Sequence, residues 1–294
     1  MSFGRTIRTE DNLPGQGKIN QAVARIISDY GDIPNVVEWQ LRDEPSATHF
    51  KALSMITDAF RRYDKRNRPV LINLFPSYAN EQQLGCATFE EYMAKFVEVC
   101  TPDAISLDRY DFVNNPVTHR NKKGYLDDLY EVAMAGKGAD VPTALIVLAS
   151  QHWSYSYLEQ PQLLWEANLN LVYGCKCVSY FTLMNLKHAG EDLGSKNGGL
   201  VTYDFEPTEQ YYFVQNIAKD IVPVGNQLAD KKMECVYQIK TGAGGKTPEY
   251  EAYGELGKVE GENGMVGFYD DGLFYLMNFE FATDAPQMFL DLTI

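Results

Sequence analysis

The feature that most constrains this chain is an alternation running from about residue 18 to about residue 222. Short runs of aliphatic and β-branched residues recur roughly every 30 to 40 positions, separated by longer stretches whose apolar residues repeat with the period of a helix. The runs at 36–41, 70–75, 104–107, 144–149 and 177–182 predict five strands. They are apolar without strict alternation, which is the pattern of strands covered on both faces. Helical stretches occupy 19–30, 49–65, 89–100, 125–135, 160–173 and 208–222. Pro34, Pro69, Pro102 and Pro142 each precede a strand, where a helix has to stop. Strand and helix in turn predict an α/β chain with a parallel sheet covered by helices. Five units fall short of the eight that close a barrel. The sheet is therefore expected to be open, or to be completed by a second copy of the chain or by a part of a longer protein.

After residue 222 the pattern changes. Residues 232–240 read as a strand, and 241–246 as a Gly-rich hairpin turn. Residues 266–269 and 273–279 flank Asp270-Asp271-Gly272, a strong hairpin signal, and 287–293 alternate apolar with polar. The expected organisation is a barrel-type domain over 1–229 and an antiparallel β-module over 230–294.

Composition narrows the function. With 26 Lys and Arg against 40 Asp and Glu, the formal charge is −14, which repels a phosphate backbone, so no nucleic-acid partner is expected. No run approaches the roughly 18 apolar residues of a membrane span, and residues 1–14 lack the apolar core of a signal peptide. The 5 cysteines are scattered and odd in number, and Cys175-Lys176-Cys177 has the wrong spacing for a zinc knuckle. The loop Gly242-Ala243-Gly244-Gly245-Lys246-Thr247 lacks the GxxxxGK[ST] spacing of a phosphate loop, and no Ser sits in a G-x-S-x-G elbow. Neither a metal nor a cofactor is expected.

Working residues in parallel α/β folds sit where the strands end. The first strand is followed by Arg42-Asp43-Glu44-Pro45, and the second carries Asn73 and leads to Pro76 and Tyr78. The third leads to Asp108, Arg109, Tyr110 and Asp111, the fourth to Gln151, His152 and Trp153, and the fifth carries Tyr180 and leads to Asn185, Lys187 and His188. Carboxyl groups among aromatic side chains suit sugar chemistry: one carboxyl protonates a leaving oxygen, another attacks or stabilises the anomeric carbon, and flat rings stack on sugar faces. A competing reading makes Asp43 the cap of the helix after Pro45.

Trp39-Gln40-Leu41-Arg42-Asp43-Glu44-Pro45, then Leu71-Ile72-Asn73-Leu74-Phe75-Pro76, Ser106-Leu107-Asp108-Arg109-Tyr110 and Gly174 through Thr182 resemble the TIM-barrel glycoside hydrolases of the clan that includes β-galactosidases and cellulases. The likeness is to uncharacterised bacterial members marked by an Asp-Glu-Pro motif, and it covers roughly residues 20–222. It implies that Glu44, closing what would be the fourth barrel strand, is the acid/base, and that the tail is an accessory β-sandwich. On that alignment 144–149 is the seventh strand, where the clan places a nucleophilic Glu. This chain has Gln151 and His152 there, and an amide cannot form a glycosyl ester. Asp108 is then the second catalytic carboxylate. Asp43, Asn73, Tyr110, Gln151, His152, Trp153, Tyr180 and Asn185 are the expected substrate contacts. The alternative is a degenerate carbohydrate-binding barrel in which Tyr110, Trp153 and Tyr180 stack sugars without turnover.

Overall fold

The computed structural model describes residues 13, 15–113, 122–184, 199–254, 256–280 and 289–292. Helix α1 (Gln16–Tyr30) leads to strand β1 (Trp39–Asp43), a 3-10 turn (Ala47–His49) and α2 (Phe50–Tyr63). Then follow β2 (Val70–Leu74), the one-turn α3 (Glu81–Leu84), α4 (Phe89–Cys100), β3 (Ile105–Asp108), α5 (Lys122–Ala139), β4 (Thr143–Leu148), α6 (Gln160–Val172), β5 (Cys177–Phe181) and α7 (Glu209–Leu228). The tail holds β6 (Met233–Ile239), β7 (Leu256–Glu260), β8 (Gly264–Tyr269), β9 (Phe274–Asn278) and β10 (Phe289–Leu292). Strands β1 to β5 form one sheet in sequential order, while β6-β8-β9 and β10-β7 form separate antiparallel sheets. Sequential order without a reversal point is the winding of a barrel rather than of a doubly wound sheet. The expected fold class is thus found: α/β, with a five-stranded parallel sheet and an antiparallel β-module.

The chain divides into two compact units, one of residues 1–108 with 134–143, the other of 109–133 with 144–294. In the first, Ile19 and Val23 of α1 meet Ile56, Ala59 and Phe60 of α2 together with Trp39 and Val70, which open β1 and β2. A buried ion pair pins that end of the strands. Arg68 donates from Nε to Asp64 at 2.7 Å and lies 4.5 Å from the centre of the Trp39 ring, whose indole N–H donates to the same carboxylate at 2.8 Å. These bonds, Arg68's above all, hold the Asp64 carboxyl well below the usual carboxylate range.

In the second unit, α6 carries Trp165, packed against Phe112, Tyr125 and Phe279, and its indole N–H donates to the Phe279 carbonyl at 2.8 Å. All six residues of β8 are buried. Gly267 on that strand has no room for a side chain, because a Cβ there would stand 2.0 Å from the Val172 carbonyl oxygen.

Several boundaries depart from expectation for physical reasons. Strand β1 starts three residues later and extends through Asp43, because Asp43 pairs in register with Asn73 past an irregularity between Gln40 and Arg42. Helix α7 runs through Pro223 instead of ending at 222. Pro223 is exposed, so solvent can satisfy the carbonyl that it leaves without a helical donor. The Gly-rich segment 241–246 is not a hairpin turn, since β6 pairs with β8 and not with the next strand. It is fastened to α5 instead: the Lys246 backbone N–H donates to Asp127 at 2.5 Å, and its ammonium meets Glu131. Strand β7, which no alternation marks, pairs with β10.

Candidate functional site

Within the first unit the parallel register sets side chains from three strands in one row. Asp43 on β1 is level with Asn73 on β2, and Asn73 is level with Ser106 on β3. Asp108 stands two residues beyond Ser106 and so on the same face. Hydrogen bonds follow the row. The Asn73 amide nitrogen donates to Asp43 Oδ1 at 3.0 Å and to Asp108 Oδ1 at 2.7 Å, and its carbonyl oxygen accepts from Ser106 Oγ at 2.9 Å. Asn73 is only 2% exposed.

Glu44 follows directly. Its backbone has φ 44°, a left-handed conformation that costs a non-glycine residue roughly 1 kcal/mol or more, and its N–H donates to the Asn73 carbonyl at 2.9 Å. The next residues hold the turn. The Tyr92 hydroxyl donates to the Pro45 carbonyl at 2.7 Å, and Ser46 accepts from the Thr48 N–H as the cap of the 3-10 turn. Ser46 thus does the capping that Asp43 could have done, and Asp43 is turned to Asn73. Gly85, at φ 67°, makes room: a Cβ there would lie 2.3 Å from Ser46 Oγ. Glu44 itself is half-buried. Burial first, then the charges of Asp108 and Asp43, push its carboxyl up to about 8. At neutral pH Glu44 therefore carries a proton beside two further carboxyl groups.

Within the second unit the described residues at the ends of β4 and β5 include a cluster of rings. Ser150, Gln151 and His152 follow β4, and no carboxylate occupies that strand end. His152 is buried, with Tyr110, Trp153, Tyr155 and Phe181 ring centres 5.0 to 6.3 Å away. Its Nδ1 lies 2.7 Å from the Ser150 carbonyl oxygen, which can only accept, so the ring proton sits on Nδ1 and Nε2 is left as an acceptor. Burial lowers the His152 pKa, which keeps the ring neutral. Trp153 is 64% exposed, Gln151 half-buried and Tyr110 buried. Tyr180 is half-buried; burial and the charge of Glu166 on α6 raise its hydroxyl to about 12, and the neighbouring Phe181 takes the place in the ring cluster. Asn185 lies outside the described residues, as do Lys187 and His188.

The sequence alone does not mark Ser106, Tyr155 or Phe181. Ser106 could have been found from its position two residues before Asp108 on the same strand face. Tyr155 belongs to a loop joined by a bridge to Val113, a long-range pairing that no local pattern announces. Among the described residues no group of three or more His, Cys, Asp or Glu side chains is placed to hold a metal ion.

No protein-family model and no curated protein matches the chain. Among solved structures it is similar to a Bacteroides thetaiotaomicron protein described as a putative alpha-L-fucosidase, with TM-score 0.47 and 10% identity over 75% of this chain and 64% of that one. It is also similar to the endo-beta-1,4-mannanase of Thermotoga petrophila, with TM-score 0.43 and 11% identity over 87% of this chain and 56% of that one. The chain therefore spans less than two thirds of the length of each.

Proposed function

We propose that this chain is a glycoside hydrolase that cleaves O-glycosidic bonds of an oligo- or polysaccharide, with Glu44 as general acid. The observation that carries the reading is the Glu44 carboxyl, half-buried, lifted to about 8 and set at a strand end beside Asp108 and Asp43. Such a group holds its proton at neutral pH and can still reach a ligand, which is what protonating a leaving glycosidic oxygen requires. Asp108, oriented by Asn73, is the second carboxylate. It acts either as the nucleophile that forms and releases a glycosyl ester or as the base that activates water, in both cases with net transfer of one water across the C–O bond.

The test is a screen of aryl glycosides and polysaccharides with the wild type and Glu44→Gln. The expected result is hydrolysis of at least one glycoside, with a loss of about 10² to 10⁴ in kcat for the variant. The loss should shrink on dinitrophenyl glycosides, whose leaving group needs no proton. Equal rates in both proteins would remove Glu44 from the mechanism. Saturable sugar binding without turnover by the wild type would favour the binding-module reading.

A further inference from the structure

The geometry points to Asn73 as the positioning residue of the site, a clamp that aims the Asp108 carboxylate and has no amide hydrogen left for substrate. This inference rests on the glycosidase reading for its kinetic consequence. A primary amide has two N–H donors and one carbonyl oxygen. At Asn73 one donor goes to Asp43 Oδ1 and the other to Asp108 Oδ1, while the oxygen takes the Ser106 hydroxyl. The orientation of the amide is not arbitrary. Ionised carboxylates only accept, so the nitrogen must be the atom between the two aspartates, and the Ser106 hydroxyl on the other side fits only an acceptor.

Burial makes the clamp rigid, because Asn73 is held on β2 between paired neighbours on β1 and β3 and cannot swing toward a ligand. A 2.7 Å bond from a buried N–H favours the anionic form of its acceptor and fixes which way the second oxygen faces. The charges of Asp108 and Asp43 bear on Glu44, and that of Glu44 bears on Tyr92 of α4. Asn73 is the donor that the two aspartates share.

The experiment compares the wild type with Asn73→Leu, which keeps the branched shape and removes the donors. It measures kcat and KM on a glycoside that the wild type hydrolyses, and the titration of the Asp108 and Glu44 carboxyl carbons by NMR. The expected result is a fall in kcat of about 10- to 100-fold with KM within about twofold. The Asp108 midpoint should move up by about one pH unit while the Glu44 midpoint stays high. A raised KM with kcat unchanged would make Asn73 a substrate ligand and overturn the inference, and so would an unmoved Asp108 midpoint. If the wild type hydrolyses no glycoside, the glycosidase reading fails, and the Asp108 titration still decides the clamp. If Asn73→Leu does not fold, Ser106→Ala keeps the amide but frees its oxygen. The Asp108 midpoint should then rise by a smaller amount, and no change would overturn the inference.

Discussion

Glu44 and Glu166 are raised by the same two causes, burial and neighbouring carboxyl groups, yet they differ in exposure. Glu166 sits within α6, 0% exposed, and burial with the charge of Asp111 lifts its pKa well above the usual range. Its neighbourhood is closed: Asp111 is buried, and the Arg109 guanidinium, also buried, is 3.3 Å from Asp128. Glu44 is half-buried at the end of a strand, in a left-handed backbone turn, beside two carboxylates tied to one amide. A raised pKa alone therefore does not locate an active site. What separates the two is exposure, and only a group that can be approached can give its proton to a substrate.

Neutralising each acid in turn should separate the two most widely. Glu44→Gln is expected to lose about 10² to 10⁴ in kcat, and Glu166→Gln to stay within about twofold, because an amide is a near isostere of a carboxyl group and Glu166 is closed off from any substrate. Steady-state rates on the same glycoside check both. A large loss from Glu166→Gln with the fold intact would mean that the inner acid belongs to the reaction and that the distinction drawn from exposure is wrong.

The pH profile should separate them next. An acid catalyst works only while protonated, so kcat/KM is expected to fall above about pH 8, tenfold for each further pH unit, as Glu44 loses its proton. Glu166→Gln should leave that limb in place. An alkaline limb that moves with Glu166→Gln would assign the titration to the wrong residue.

How much of this was legible beforehand follows from the kind of information each part needs. The strands and the barrel-type order were readable because apolar runs bounded by proline are local signals. Asp43, Glu44 and Asp108 could be named as candidates because strand ends are where such folds place their chemistry. The bonds of Asn73 could not be foreseen, since its partners lie 30 and 35 residues away and depend on the register of three strands. Nor was the attachment of the 241–246 loop to Asp127, 119 residues from Lys246. Glu166 lies in a stretch whose apolar period is helical, and only burial tells a buried acid from a surface one.

The smallest expected effect is on stability, and its sign is opposite to that of ordinary acid denaturation. A carboxyl whose folded pKa lies above its unfolded value binds more protons when folded, so its contribution is complete below the unfolded pKa and is lost as pH rises toward the folded one. For Glu44 that window runs from 4.5 to about 8, and for Glu166 it extends upward from 4.5. Asp64, held down by Arg68, works the other way and gives up its contribution as pH falls below the ordinary aspartate value of 3.8. Glu166→Gln removes an ionisation that must occur in the unfolded chain and is opposed in the folded one. Its urea midpoint should match wild type near pH 5 and exceed it by a growing margin as pH rises from there. Glu44→Gln should show the same rise only up to about pH 8 and then level off, since a half-buried carboxyl is free to ionise in the folded protein. Parallel curves for the two variants would mean that both acids share one environment, and the contrast between an approachable proton and a sealed one would be lost.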